Sequence, residues 1–247
     1  YYFINDINTL LIEKEKVADF ARNTPYKQYI FGAWNRIITY YLRNREYDSA
    51  IQELKKYQDE AFRLDNPYGI GKSYVRMGDV YYQQRMFRLA LQQYKQAVDY
   101  YIQTGNEKEN FYSYRSISSC YINLQRYEEA EEYALRCLDA SVTQSALIQS
   151  KLLLFQVTCS KMDSKKADEL QKELAQYRAQ GVMKGTILEN YFTLNGYYYA
   201  ALGNLDKALA YSDSISDKGL SLAVRYKAFE MAGDFYSAFA ELYKKYR

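Results

Sequence analysis

The 247-residue chain is 48% hydrophobic and 26% charged, with 33 Lys+Arg against 30 Asp+Glu. That is the make-up of a folded domain, with no charge bias toward nucleic acid or an anionic membrane. It contains no His, and its three Cys include no C-x-x-C pair, which excludes Ser-His-Asp and Cys-His nucleophile systems, His-ligated metal and a structural zinc cage. The 30 Tyr, 11 Phe and one Trp supply too much apolar surface for disorder, and no run of 18 apolar residues occurs.

The opening Tyr1-Tyr2-Phe3-Ile4-Asn5-Asp6 has no initiator Met and reads as the inside of a helix. The chain is therefore expected to be a piece of a longer protein. From there a pattern returns every 40 residues. Trp34, Tyr74 and Tyr114 align, as do Tyr41, Tyr81 and Tyr121, and Ala50, Ala90 and Ala130. A fourth copy keeps only Leu154, Phe155 and Ala167. A fifth has Phe192, Gly196, Tyr199 and Ala208, and a sixth has Phe229, Gly233-Asp234-Phe235 and Ala238. The expected organisation is a single array over 1–247. It has a half-repeat at about 5–25 and repeats at about 27–66, 68–105, 108–143, 146–181, 186–217 and 219–247.

Within a copy the period is helical. Phe87, Ala90, Leu91, Tyr94, Ala97, Val98 and Tyr101 recur at i, i+3, i+4 and i+7, which places them on one face. Short breaks such as Arg43-Asn44-Arg45 and Leu202-Gly203-Asn204 divide a copy into two helices. Longer breaks, Leu64-Asp65-Asn66-Pro67 and Thr104-Gly105-Asn106, divide copies. Small residues (Gly78, Ser118, Gly196 and the repeated Ala) let paired helices approach. One pair cannot bury its own apolar face, so copies must stack. The fold class is all-α, a right-handed α-α superhelical solenoid of antiparallel helix pairs.

These positions resemble the tetratricopeptide-repeat family, whose pattern is best matched by Tyr74, Met77-Gly78, Tyr81, Ala90, Tyr94 and Ala97. The third copy departs at Ala134 and Cys137, and the closing Pro is absent from most copies, although Pro25 is placed to close a half-repeat. The 40-residue spacing is similar to longer-helix variants of bacterial regulators and kinesin light chains. The resemblance implies a non-catalytic module that binds a protein or an extended peptide. It also suggests the sensory or scaffolding part of a bacterial signalling regulator, with Tyr243 to Arg247 suited to a junction with a further helix. The alternatives are a cytoplasmic adaptor or assembly scaffold, or an enzyme-associated subunit. The regulator resemblance slightly favours the periplasm.

No residue pattern calls for a cofactor or metal. Glu128, Glu129, Glu131 and Glu132 form the densest carboxylate cluster, but they begin a helix, where acidic residues suit the dipole. Gly69-Ile70-Gly71-Lys72-Ser73 ends like a phosphate loop. Its spacing fails at Asn66 and no strand precedes it, so it reads as a helix-to-helix turn. The cysteines read as small core residues; Cys120 and Cys137, on opposing helices of one copy, are a geometrically conceivable bridge. Tyr41, Tyr81, Tyr121 and Tyr199 read as core. Tyr40, Tyr82, Tyr112, Tyr197 and Tyr198 read as seam or recognition residues.

In the family, ligands lie along the surface formed by the first helices. The resemblance therefore singles out their non-core residues: Asn35, Thr39 and Arg43, then Lys72, Arg76 and Asp79 with Tyr82, then Tyr112, Arg115, Ser119 and Asn123. This row is polar and net positive, which suits a peptide bearing a carboxylate. Asn35 and Thr39 stand where the family's C-terminal carboxylate clamp has Lys and Asn, so that clamp is not reproduced. No nucleic-acid partner is expected. Uncapped terminal helices predict some tendency to homodimerise.

Overall fold

The computed structural model describes residues 6–22, 24, 29–105 and 109–245. Tyr1–Asn5, Pro25, Asn106 and the Tyr246-Arg247 end of the expected junction lie outside the described residues. The chain divides into two compact units, 1–140 and 141–247. Among the described residues both are built from α-helices alone.

The first unit holds α1 (Ile7–Arg22), α2 (Tyr29–Arg43), α3 (Tyr47–Arg63), α4 (Pro67–Gln83), α5 (Phe87–Gln103), α6 (Asn110–Asn123) and α7 (Tyr127–Asp139). The second holds α8 (Gln144–Ser160), α9 (Ser164–Ala179), α10 (Thr186–Ala201), α11 (Leu205–Asp213), α12 (Lys218–Met231) and α13 (Phe235–Lys245).

Each helix pair is closed by the same three-residue turn. Its middle residue is left-handed: Arg45, Arg85, Gln125, Met162, Gly203 and Gly233, with φ between 58° and 78°. In each, the amide after that residue donates back to a carbonyl in the last turn of the first helix. These bonds run from Glu46 to Tyr41, Met86 to Tyr81, Arg126 to Tyr121 and Asn204 to Tyr199, all 2.9 Å. This is the Schellman closure. Four of the six turns place a non-Gly residue in the left-handed region, so the closure is imposed by helix pairing rather than by glycine.

The short turn makes the helices of a pair antiparallel, and they approach closely because small residues interlock with rings. A Cβ on Gly78 would lie 2.6 Å from the Tyr94 ring, and Gly71, earlier in α4, faces Tyr101, later in α5. In the next pair Ser118 takes the place of Gly78, and its hydroxyl donates to the Ala130 carbonyl at 2.7 Å. Successive pairs meet by the same device. Gly69 lies against the Phe31 ring, so a Cβ there would sit 2.5 Å from Cζ. Gly69 to Ser73 are therefore the first turns of α4 and not a turn between helices. Asn66 caps them by accepting from the Gly69 amide at 2.8 Å, with Pro67 at the first helical position. The two glycines break no helix; they make room for rings on both sides of it.

Ala90, Tyr94, Ala97, Val98 and Tyr101 are buried along α5, with Phe87 and Leu91 at the margin. Of the tyrosines expected in the core, only Tyr121 is fully buried; Tyr41, Tyr81 and Tyr199 are half-buried. They sit in the last turn of the first helix, where the pair opens toward its closing turn. The deepest tyrosines are Tyr57, Tyr94, Tyr101 and Tyr191. Tyr57 stacks on Phe31 and Trp34 with centroids 5.1 and 5.7 Å away.

In the second unit Leu154, Phe155 and Ala167 are buried. Leu152, Phe155, Tyr191, Tyr198 and Val224 share one core. Gly196 again admits a neighbour, here the Val224 methyl group at 2.5 Å from the place of a Cβ. Tyr198, expected at a seam or a recognition surface, is buried and donates to Asp168. All three cysteines are free thiols. Burial pushes Cys120 and Cys159 up to about 12, which keeps them protonated and unreactive.

A buried charge cluster ties α1 to the first pair. Glu53 accepts from Lys56 at 2.6 Å, from the Trp34 indole at 3.2 Å and from Lys14 at 3.3 Å. Lys14 also lies 5.3 Å over the Trp34 ring. Burial alone would raise the Glu53 pKa. The Lys56 hydrogen bond and the Lys14 charge overcome it and hold the carboxyl below its ordinary range.

Two outcomes follow from this packing. Gly78→Ala should destabilise the chain by about 1–3 kcal/mol through overpacking on Tyr94, measured by urea denaturation. Because folded Glu53 titrates below its unfolded value, its contribution is present above about pH 4.3 and is lost as pH falls through the folded value. The stability gap between wild type and Glu53→Gln should therefore narrow as pH is lowered from 7 to 3 in parallel denaturation curves.

Candidate functional site

The first helices of the three pairs in unit 1, α2, α4 and α6, carry all eleven residues singled out by sequence. Side-chain bonds bring most of them together. Arg76 on α4 reaches α2, donating to Thr39 Oγ1 at 2.7 Å and to the Asn35 carbonyl at 3.4 Å. Thr39 itself donates to the Asn35 carbonyl at 2.7 Å. From α6, Asn123 donates to the Tyr82 hydroxyl on α4 at 3.0 Å and to the Ser119 carbonyl at 2.8 Å. Ser119 in turn donates to the Arg115 carbonyl at 3.0 Å. Arg43 is exposed at the end of α2.

Asp79 is the hinge between this face and the core. It accepts from Arg76 at 2.9 Å on one oxygen and from the Tyr94 hydroxyl at 2.8 Å on the other. Tyr94 is the ring that fills the space left by Gly78. One tyrosine thus packs the helix pair and anchors the carboxylate of the next residue of α4. Burial, followed by the charge and hydrogen bond of Asp79, raises its hydroxyl pKa well above the ordinary tyrosine value, so it remains a donor at any physiological pH.

Within this row, expected to be polar and net positive, the Arg76 guanidinium is paired to Asp79 and bonded to α2. The spacing Arg-x-x-Asp on one helix face carries that signal in the sequence.

Lys72 differs. It is half-buried, and among the described residues it makes no ion pair. Its ammonium lies 5.8 Å from the centre of the Tyr112 ring, over which the Arg115 guanidinium also lies at 5.6 Å. Burial, then the charge of Arg76, hold Lys72 below the ordinary lysine range, with Asp79 and Glu109 opposing. Tyr112 is 51% exposed.

Sequence reasoning passed over Tyr94, as a core residue, and Gly32. Gly32 is exposed inside α2, and a Cβ there would meet nothing within 4 Å. The 40-residue register, which aligns it with Lys72 and Tyr112, was the available signal. The polar row has no counterpart on α10, where the positions aligned through Gly196 with Arg76 and Asp79 are Leu194 and Tyr197. Among the described residues no group of three or more Cys, Asp or Glu could hold a metal ion, and no helix is long and apolar enough to cross a membrane.

A tetratricopeptide-repeat family model matches residues 75–143, the segment that holds α5, α6, α7 and most of α4. That segment is similar to tetratricopeptide repeats, in line with the residue pattern of the second and third copies. Such repeats bind proteins or peptides and are generally non-catalytic. No curated protein matches the sequence.

Three solved structures share the fold. BtubC (BKLC) from P. vanneervenii is 13% identical with a TM-score of 0.59, over 100% of this chain and 91% of that one. A signal-transduction ATPase with numerous domains and a tetratricopeptide-repeat sensor, from Pyrococcus horikoshii, is 17% identical with a TM-score of 0.63. That match covers 97% of this chain but only 41% of the ATPase. The apo quorum sensor NprR from B. thuringiensis is 13% identical with a TM-score of 0.61, over 94% of this chain and 68% of that one. At these identities the likeness is one of fold.

The coupling between core and face is measurable. Tyr94→Phe should cost about 1 kcal/mol. In a double-mutant cycle with Asp79→Asn it should show a coupling energy of about 0.5–1.5 kcal/mol, read from urea midpoints.

Proposed function

We propose that the chain is a non-catalytic protein- or peptide-binding module whose ligand lies along the α2, α4 and α6 face of unit 1. Each helix pair serves as one repeat, with α1 as a preceding half-repeat. The module acts as the sensory or scaffolding part of a larger regulator. The observation that carries this reading is the polar network that crosses from α2 to α4 to α6 through Thr39, Arg76, Tyr82 and Asn123. Three successive repeats thereby present one continuous surface with fixed side-chain positions.

Adjacent packed helices stand about 8–10 Å apart, and an extended peptide rises about 3.3 Å per residue. About six peptide residues therefore span the face. The face offers donors and acceptors at separate points and a large exposed ring, a combination suited to an extended chain. It offers no arrangement of nucleophile and base. Two structural neighbours, an ATPase with a tetratricopeptide-repeat sensor and a quorum sensor, favour the regulatory version of the reading over an adaptor.

Selection of random dodecapeptides on the immobilised chain, followed by calorimetric titration, tests the proposal. Selected peptides are expected to bind saturably and to lose at least about 10-fold in affinity with Asn123→Trp, which places bulk on the face. Gln92→Trp, on the exposed side of α5, is expected to leave affinity unchanged. Absence of any binder, or binders sensitive to Gln92→Trp and not to Asn123→Trp, would overturn it.

A further inference from the structure

Three side-chain atoms around the junction of the first two helix pairs are shielded from solvent and have no hydrogen-bond partner among the described residues. They are Asn35 Oδ1 on α2, the Tyr57 hydroxyl on α3 and Arg76 Nε on α4. Buried polar atoms are nearly always paired, and one left unpaired costs more than a typical hydrogen bond returns. Three such atoms from three helices call for one explanation.

The packing brings them to one place. The Tyr57 ring stacks on Phe31 and Trp34, and Asn35 lies one helical turn after Phe31 on the same side of α2. The Arg76 guanidinium reaches that turn as well. Its Nη2 donates to the Asn35 carbonyl at 3.4 Å and to Thr39 Oγ1 at 2.7 Å. The electrostatics agree. Burial, then Tyr68 and Tyr101, raise the pKa of the Tyr57 hydroxyl, while the Arg76 charge and the Asn35 side chain oppose them. Asn35 is therefore near enough to act on the hydroxyl, yet no bond of proper geometry joins the two.

The same atoms specify the partner. Arg76 Nε only donates, Asn35 Oδ1 only accepts, and a tyrosine hydroxyl does either. An anion would leave Asn35 Oδ1 unmet, and a metal cation would leave Arg76 Nε unmet. Tyr57 is 0% exposed, so the partner is small. A water molecule both donates and accepts, and buried waters typically make about three hydrogen bonds to groups of this kind.

We propose that Asn35, Tyr57 and Arg76 form a binding site for one internal water molecule. The water accepts from Arg76 Nε, donates to Asn35 Oδ1 and bonds to the Tyr57 hydroxyl. It completes the guanidinium, whose Nη1 is already on Asp79 and whose Nη2 is on Thr39. Through it Arg76 is attached to α3 as well as to α2, and the side-chain oxygen of Asn35 serves the interior rather than a ligand.

Crystallography and NMR on the whole chain test the site. A high-resolution map is expected to show one peak of water strength about 2.7–3.2 Å from all three atoms, and a bromide soak is expected to give no anomalous peak there. In solution the Arg76 Nε–H is expected to show a nuclear Overhauser effect to water of the sign that marks a long-lived internal molecule. That signal is expected to be lost in Tyr57→Phe, which removes one of the three partners, and to remain in Tyr191→Phe, which removes a buried hydroxyl of unit 2. Thermal melts by circular dichroism establish that each variant is folded.

A direct hydrogen bond between Tyr57 and Asn35 with no density between them overturns the assignment. A bromide peak at the position overturns it in favour of an anion. So does a water signal that persists in folded Tyr57→Phe or disappears equally in Tyr191→Phe. If Tyr57→Phe does not fold, the map and the bromide soak of the unsubstituted chain decide.

Discussion

The structure depends on how closely two helix backbones can approach through a ring. At Gly78 the Tyr94 ring occupies the space that a Cβ would take. Ser118 with Ala130 and Gly196 with Val224 repeat the theme. Interiors packed at crystal-like density transmit such constraints rather than absorb them. In the second pair the constraint has a further effect. The hydroxyl of the same tyrosine meets Asp79, Asp79 fixes Arg76, and Arg76 bonds to α2. A packing decision inside one repeat therefore sets side-chain positions on the face shared with the repeat before it.

This chain of bonds divides the face chemically. Arg76 and Asp79 neutralise each other and act as a brace between repeats. Lys72 and Arg115 lie beside the Tyr112 ring, 5.8 and 5.6 Å from its centre. The braced part gives rigidity, which lowers the conformational cost of binding. The buried Lys14–Glu53–Lys56 cluster plays the bracing role on the other side of the first pair, where it ties α1 to α2 and α3.

Much of this was legible in the sequence because the repeat is written in packing residues. The 40-residue recurrence of Ala50, Ala90 and Ala130 gives the helix pairs, and the i, i+3, i+4 spacing along α5 gives its buried face. The left-handed turn residue was hidden, since Arg45, Arg85, Gln125 and Met162 carry no turn signature of their own. Gly69 and Gly71 read as helix breakers because propensity speaks before packing does, and only the rings of Phe31 and Tyr101 explain them. That the candidate residues fall on the first helices α2, α4 and α6 was legible from the register. How their side chains are tied to the core was not, because that depends on how deep Tyr94 reaches. The Arg76–Asp79 pair was readable from its i, i+3 spacing; the approach of Lys72 to the Tyr112 ring needed three dimensions.

The central claim is that unit 1 binds its ligand along α2, α4 and α6. Mapping amide chemical shifts on the 15N-labelled chain during titration with a selected peptide tests it most directly. The account predicts that the largest changes fall on the residues around Gly32, Lys72, Tyr112 and Asn123. Changes concentrated on the outer faces of α3, α5 and α7, or confined to unit 2, would contradict it.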